Sequence, residues 1–421
     1  MNQAVLIDID ALRVGMFIQL ELGWINHPFP MSSFRLSSPD QIRVLREIGL
    51  QSVRYIPAKS TVTAANAGLR SEEARDEPES DAMVQAELGA ADLLAQFNAR
   101  QQHCNLRFQE ATRTYAAVSA HVRAEPAQAR EQAEALIRTC VSDLLTRGPC
   151  AVHLLADGVS QRSAAHAVNV MVLALLLGQA IGLQAQQLHG LALSALLHDL
   201  GKVNLPAHIG EPGAALRAAD MQRYHSHVGL SVELAQNMAL PSDVLIAIAQ
   251  HHEMADGSGY PLHLVADDIS RWGQILALVN RYDRLCNPLH GDQALTPHEA
   301  VAKLFAQLRG SFDASVLGAF IRLMGVYPPG SLVQLVDGRL AVVMVVDPAR
   351  PLRPWVVPHQ PDVPRSQVAL LNLAQTPELG ILRSLKPAQL PRAALEYLLP
   401  QPRICYFFER ALDSLGEGDA A

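Results

Sequence analysis

Residues 163–198 contain no Lys, Arg, Asp or Glu, and this uncharged stretch limits the folds open to the chain more than any other feature. Only residues 170–177 form a solid apolar run, because His166, Asn169 and several glutamines interrupt the rest. A membrane-spanning helix needs roughly 20 predominantly apolar residues. The stretch therefore predicts helices buried in the core of a globular domain, with no membrane span.

The composition of the whole chain describes a multidomain globular protein. Its 421 residues are enough for two or three domains, and the 49% hydrophobic and 18% charged fractions predict a large buried core. The net charge of −7 gives no general reason to expect binding of a nucleic acid polymer, which usually needs a basic face, and leaves open a local basic pocket for a small anionic ligand. The five cysteines are scattered without a C-x-x-C pair, and the N-terminus lacks a signal-peptide pattern. We therefore expect reduced thiols and a cytoplasmic location.

Local patterns divide the chain into five segments. Residues 1–58 predict a small α+β regulatory domain, with a helix that starts near Pro39, and residues 59–81 an acidic linker. Residues 82–148 predict a helical connector divided at Pro126, and residues 149–326 a helical core. Residues 327–421 predict a β-rich C-terminal appendage and tail, with a hairpin around Asp337 and Gly338. The predicted fold class is mainly α.

The helical core concentrates imidazole and carboxylate side chains. The candidate ligands are His198, Asp199, His225, His251 and His252, with His227 ranked second to His225. Imidazole and carboxylate together suit a transition metal. The two oxygens of Asp199 could bridge two ions about 3.5–4 Å apart, an arrangement common in phosphoester hydrolysis.

These motifs resemble the HD-GYP domain. The resemblance rests on His198-Asp199-Leu200-Gly201-Lys202, on His225 four residues before Gly229, on His251-His252-Glu253, and on Asp256-Gly257-Ser258-Gly259-Tyr260-Pro261. It covers about residues 150–325 and implies an all-helical, HD-type metal-dependent phosphohydrolase core. The N-terminal module, with Gly15, Met16, Trp24 and the pair Pro28-Phe29, is similar to an uncharacterised domain often found ahead of HD-GYP domains.

The resemblance implies a ligand set for two divalent metal ions. One ion would use His166, His198, Asp199 and Asn280, and the other Asp199, His225, His251 and His252. Asn280 stands where the family has Asp, and the arginines that follow in the family are absent at Leu289, His290, Gly291 and Asp292. Arg162 replaces a Glu linked to a third metal, so we expect at most two ions. Mixed His and carboxylate ligation favours iron or manganese, with zinc as an alternative.

The activity implied by the resemblance is hydrolysis of cyclic di-GMP to pGpG, with GMP as a further product. A metal-bridging hydroxide would attack phosphorus, and Lys202 would neutralise the charge that develops on oxygen. Gly259, Tyr260 and Pro261 would form part of the substrate site, with Tyr260 stacking on a guanine or hydrogen-bonding a phosphate. The alternative is a catalytically weak or inactive module that senses cyclic di-GMP or binds proteins. The expected partners are cyclic di-GMP, other signalling proteins and a second copy of the chain.

Overall fold

In the computed structural model, the chain folds into two compact units. The first comprises Met1–Leu93 with Ala374–Glu378, and the second Leu94–Leu373 with Leu379–Ala421. The structure describes residues 5–20, 33–36, 39–47, 50, 52–57, 60, 79–146, 150–155, 161–210, 216–289, 294–376, 378–401 and 403–410. Most of the predicted linker, residues 61–78, lies outside the described residues, as do His290, Gly291 and Asp292.

The first unit is a small antiparallel sheet with one helix. Strands β1 (Val5–Asp8), β2 (Phe17–Gln19), β3 (Ser33–Arg35) and β4 (Ser52–Tyr55) lie in the order β1-β4-β2-β3. Helix α1 (Pro39–Glu47) contributes Leu45 to a core that also contains Met16, Ile18 and Val53. The α+β character predicted for this region is confirmed, and β3 is an addition that the sequence pattern did not predict.

Helices make up most of the second unit. Helix α2 (Glu79–His121) begins in the first unit, and α3 (Pro126–Thr146) starts at the proline predicted to divide the connector. The helices that follow are α4 (Arg162–Ala180), α5 (Ala185–Leu197), α6 (Ala207–Gly210), α7 (Ala218–His225), α8 (His227–Asn237), α9 (Ser242–Gln250), α10 (Arg271–Cys286), α11 (Pro297–Ala306), α12 (Ala314–Met324) and α13 (Arg392–Leu398). The predicted mainly α fold class is confirmed.

Helix α4 is the central core helix of this unit. It is long and apolar enough to cross a membrane by length and composition, but 83% of its apolar window is buried inside the protein. Its neighbours are α5, α10, α12 and the strand β11 (Tyr406–Arg410). Because α4 is covered on all these sides, its lack of charge is explained by packing, as predicted for the uncharged stretch.

The second sheet joins the C-terminal region to the start of the helical core. It contains β5 (Cys150–Leu154), β6 (Leu332–Leu335), β7 (Leu340–Val346), β8 (Trp355–Pro358), β9 (Leu371–Asn372), β10 (Ile381–Leu385) and β11. The order is β10-β6-β7-β5-β11, with β8 paired to β7 and to β9. The hairpin at Asp337 and Gly338 is confirmed, and Gly338 has φ +89°, which favours glycine. The C-terminal strands therefore share one sheet with β5 instead of forming a separate body.

Candidate metal centre and cleft

A glycine contact sets the position of the His198-Asp199 turn. Helix α5 ends at Leu197, and a short 3-10 turn begins at Leu200, so Asp199 lies between two helical segments. A Cβ on Gly201 would lie 2.3 Å from the carbonyl oxygen of His227 and 2.4 Å from the amide nitrogen of Ser231. Only glycine permits this approach, and its amide donates to Ser231 Oγ at 2.8 Å. The glycine of the motif thus brings α8 against Asp199.

The Asp199 carboxylate lies between two groups of imidazoles. The Oδ1 group contains Asp199, His227, His251 and His252, and the Oδ2 group contains His166, His198 and Asp199. Within each group one ligand atom per residue lies within 4.8 Å of all the others. Oδ1 lies 3.2 Å from His227 Nε2 and 3.8 Å from His251 Nε2. Oδ2 lies 3.4 Å from His166 Nε2 and 3.5 Å from His198 Nε2.

Backbone carbonyls fix the tautomers of three of these rings. In each, Nδ1 lies 2.6–2.7 Å from the carbonyl oxygen three residues earlier, in the pairs His198 with Ala195, His227 with Tyr224, and His251 with Ile248. A carbonyl only accepts, so Nδ1 carries the proton and donates it, which leaves Nε2 with a lone pair. The Nε2 atoms of His227 and His251 face each other at 3.3 Å. Two facing lone pairs repel unless a cation lies beside both.

Buried polar atoms without partners give an independent test of whether this site fits a cation. Among the described residues, Asp199 Oδ1, His252 Nε2 and Asn280 Oδ1 are buried and make no hydrogen bond. Leaving one such group unsatisfied costs about 1–3 kcal/mol. Together with the converging imidazoles, these atoms fit a divalent metal ion.

The electrostatics of the site favour cation binding by the candidate ligands. Burial lowers the pKa of His198 and His227, and burial together with neighbouring histidines holds that of His251 well below its usual range. Burial opposes ionisation of Asp199, but Lys202 and His198 outweigh it and hold the pKa of that carboxyl well below its usual range. Neutral imidazoles beside an ionised carboxylate are the protonation states that a metal requires.

His227, and not His225, joins the cluster, which corrects the order in which the sequence analysis ranked them. Helix α7 ends at His225 and α8 begins at His227, so the chain turns at Ser226 between them. Residues two apart on a helix differ by about 200° in direction. His227 therefore faces Asp199, while His225 stacks on the Tyr260 ring with centroids 3.8 Å apart and an interplanar angle of 14°.

Tyr260 lies between two histidine rings, so the predicted stacking of a guanine on its face is not available. His225 covers one face, and His252 stacks at a centroid distance of 4.5 Å and 20°. A Cβ on Gly259 would lie 2.4–2.6 Å from backbone atoms of residues 252–254, so glycine is required there. The Glu253 carboxylate fixes the same loop by accepting from the amides of Leu262 and Leu264 at 2.6 and 2.9 Å.

A network that the motifs did not indicate supports His166 from the segment just before strand β11. His166 Nδ1 lies 2.5 Å from Asp283 Oδ2, and Asp283 Oδ1 accepts from the side-chain amides of Asn169 and Asn287. Both amides also donate to the carbonyl oxygen of Ile404, at 2.9 and 2.7 Å. Two asparagines are the sequence signal that could have revealed this network. Asn169 lies three residues after His166 on α4, and Asn287 lies four residues after Asp283 at the end of α10, spacings that bring two side chains together. Residues outside the helical core thus help to orient a candidate ligand.

A cleft of about 410 Å³ opens beside the cluster. This volume falls in the range of small-molecule sites, about 300–1,000 Å³. Of the predicted site residues, it is lined by His225, His251, His252, Gly259, Tyr260 and Asn280. Pro261 is exposed and is not among the lining residues, and neither is Lys202, which instead contacts Asp199 Oδ2 through Nζ at 2.5 Å. Arg281 and Arg284 also line the cleft, and the sequence analysis did not single them out.

Two domain families match this chain, one in its N-terminal region and one in its helical core. Residues 150–316 match the family described as HD domain, and residues 5–133 match a domain of unknown function, DUF3391. The cyclic di-GMP phosphodiesterase PA4108 of Pseudomonas aeruginosa is 29% identical over 354 residues, which cover 80% of this chain and 81% of that protein. A 3'3'-cGAMP-specific phosphodiesterase of Vibrio cholerae is 29% identical over 174 residues, or 39% of this chain and 33% of that protein. A solved structure, described as an HDG"Y"P protein from Bdellovibrio bacteriovorus, has a TM-score of 0.42 and 16% identity, covering 76% of this chain and 98% of that chain.

Proposed function

We propose that this chain, which belongs to the HD-domain family and carries an N-terminal DUF3391 domain, is a metal-dependent phosphodiesterase that hydrolyses cyclic di-GMP. The resemblance of its motifs to the HD-GYP domain is confirmed by these matches and by relatives named cyclic di-GMP phosphodiesterases. The proposed product is pGpG, with GMP as a further product. The alternative, a binding module without turnover, is not favoured because these relatives are named as enzymes.

The observation that carries this proposal is the convergence of His227, His251 and Asp199, together with the fact that His251 also lines the cleft. Hydrolysis of a phosphodiester needs an activated water and a neutralised phosphate, and divalent metals supply both by lowering the pKa of bound water and by withdrawing charge. The Oδ1 and Oδ2 groups would offer positions for up to two ions, as the resemblance to the HD-GYP domain implies. Because the ligands mix imidazole and carboxylate, we propose iron or manganese, with zinc as an alternative.

The remaining residues would bind the anionic dinucleotide. Arg281 and Arg284 place positive charge along the cleft, which attracts a phosphodiester although the whole chain is acidic. Lys202 Nζ, held by Asp199, supplies a further charge beside the ligands. Gly259 and Tyr260 form part of the wall. Tyr260 would offer its hydroxyl rather than its ring face, since both faces are covered by histidines.

A cytoplasmic location and interaction with other signalling proteins complete the proposal. All five cysteines are buried and none forms a disulfide, which suits a reducing compartment. A nucleotide messenger made inside the cell would also reach the cleft there. A homodimer is proposed as the state in solution, to be tested by light scattering of the purified protein.

The decisive experiment is hydrolysis by the purified full chain after loading with Fe(II) or Mn(II) under anaerobic conditions. Cyclic di-GMP and 3'3'-cGAMP are supplied separately, and products are resolved by chromatography. We expect pGpG from cyclic di-GMP, with turnover lost in Asp199→Asn because that change weakens the shared ligand. Tight nucleotide binding without hydrolysis by either metal form would reject the enzyme in favour of a sensor. Faster turnover of 3'3'-cGAMP would replace the proposed substrate.

A further inference from the structure

The two oxygens of Asp199 have different surroundings. Oδ2 accepts from Lys202 Nζ at 2.5 Å and from Arg284 Nη2 at 2.7 Å. Oδ1 receives no hydrogen bond from the described residues and faces the Nε2 atoms of His227 and His251. One oxygen is thus neutralised by side chains of the protein, while the other is left for an external cation.

We propose that the site holds a single divalent metal ion in the Oδ1 group and that the Arg284 guanidinium takes the place of a second ion in the Oδ2 group. This inference rests on the proposed metal-dependent function and specifies how many ions the site holds. It gives Arg284 a role that the motifs did not indicate.

The ligand inventory favours the Oδ1 group. That group offers three imidazoles and a carboxylate oxygen that lacks a donor, and His252 Nε2 lacks a partner among the described atoms. The Oδ2 group offers two imidazoles, whose Nε2 atoms also face each other at 3.2 Å, but its carboxylate oxygen already has two cationic donors that the Oδ1 group lacks. A transition metal will bind first to the group that has more imidazoles and no cationic donor on its carboxylate oxygen.

Arg284 also opposes entry of a second ion by repulsion. A guanidinium does not lose its proton in proteins, so its charge beside Oδ2 is permanent. Its side chain is only 21% exposed, so water screens that charge less than it would at the surface. A divalent ion approaching Oδ2 would have to displace Arg284 or bind next to two positive charges.

The position of Arg284 lets it act on the substrate as a metal ion would. Arg284 lies one helical turn after Asn280 on α10, and both line the cleft. Asn280 brings a neutral oxygen, so it does not offset the positive charge of Arg284. A guanidinium offers a fork of N–H donors that matches phosphate oxygens. Arg284 would therefore neutralise the phosphodiester without any metal loading.

The test counts metal ions per chain in the purified full-length protein after Mn(II) loading and removal of unbound metal, by elemental analysis. We expect about one ion in the parent and in Asn280→Asp, which adds a carboxylate but keeps Arg284, and about two in the double variant Asn280→Asp with Arg284→Met, as in a paired-metal site. The variant Arg284→Lys in the Asn280→Asp background keeps the charge and should stay near one. Arg281→Met removes a neighbouring arginine from the same cleft and should leave the count unchanged.

Two ions in the parent, or in Asn280→Asp alone, would overturn the inference, as would a count that stays at one in the double variant. Circular dichroism and thermal melting of each variant show that the metal ions are counted on folded protein. The count does not depend on turnover. A parent with one ion and no hydrolysis of either nucleotide would reject the proposed enzyme while leaving the single-metal inference in place.

Discussion

Asp283 holds His166 by a contact of 2.5 Å between its Oδ2 and the ring Nδ1. Both side chains are buried, and the second oxygen of Asp283 accepts from Asn169 and Asn287. Burial opposes ionisation of Asp283, but its hydrogen bond with His166 outweighs this and lowers the pKa of the carboxyl. A carboxylate behind an imidazole fixes the orientation of the ring. The pair therefore directs His166 Nε2 at Asp199.

Replacing Asp283 by Asn tests this relationship. The change keeps the shape but removes the charge, so the His166 ring loses its orienting acceptor, and outer-shell changes of this kind reduce metal affinity about 10–100-fold. With a single ion in the Oδ1 group, His166 acts only through its contact with Asp199 Oδ2 at 3.4 Å, so we expect a loss at the lower end of this range, about 10-fold. Affinity is measured by competition with a fluorescent chelator. Glu396→Gln, at an exposed ion pair on α13, is the control, and equal effects of both changes would contradict the role of Asp283.

Separate substitutions of His227 and His225 form a matched pair of variants. Because His227 Nε2 lies 3.2 Å from Asp199 Oδ1, His227→Ala should lower metal affinity by at least about 100-fold, beyond the loss expected from an outer-shell change. His225→Ala removes only the ring stacked on Tyr260 and should leave affinity near the parent value. Isothermal titration of metal-free protein with Mn(II) measures both. A larger loss of metal affinity in His225→Ala than in His227→Ala would show that His225 is the ligand.

Gly201 and Gly229 provide a test of the backbone contact beneath the site. Gly201→Ala places a methyl group 2.3 Å from the His227 carbonyl oxygen, so α8 must shift. We expect a loss of about 1–3 kcal/mol in the free energy of unfolding, as for other overpacked sites, together with weaker metal binding. For Gly229→Ala no described atom lies within 4 Å of the new Cβ, and the helix gains up to about 1 kcal/mol from the better helix former. Urea unfolding of both variants measures the contrast, and similar losses would contradict it.

The burial of His153 predicts how the free energy of unfolding depends on pH. It is fully buried on β5, neither ring nitrogen has a hydrogen-bond partner among the described residues, and burial lowers its pKa to about 4. Its unfolded pKa is about 6.5, so between these values the unfolded chain binds more protons and stability rises with pH. As pH falls from about 6.5 to about 4, His153 should therefore remove about 3 kcal/mol of unfolding free energy.

The substitution His153→Leu isolates this contribution from that of the other histidines. It should flatten the loss of stability across that pH window, because a leucine at the same position takes up no proton. Denaturant unfolding of metal-free protein at several pH values gives the comparison. If the parent and the variant lose stability in parallel, His153 is not the group responsible.

Local sequence patterns predicted several of the elements, and the motifs together with the family resemblance predicted most of the candidate ligands. The hairpin around Gly338, the start of α3 at Pro126 and the buried character of α4 followed from turn chemistry, proline geometry and the absence of charge. The motifs indicated His166, His198, Asp199, His251 and His252, which the structure brings into two adjoining groups. Each of these inferences depends on residues close together in sequence.

Only the tertiary structure decided which groups face each other. A turn at Ser226 sets the direction of the following helix, so no local pattern could select His227 over His225. Arg284 reaches Asp199 across 85 residues of sequence, and β5 pairs with β11 over an even longer separation. Such contacts form because the buried faces of α4, α5, α9 and α10 pack together, and that packing brings Arg284 to Asp199 Oδ2.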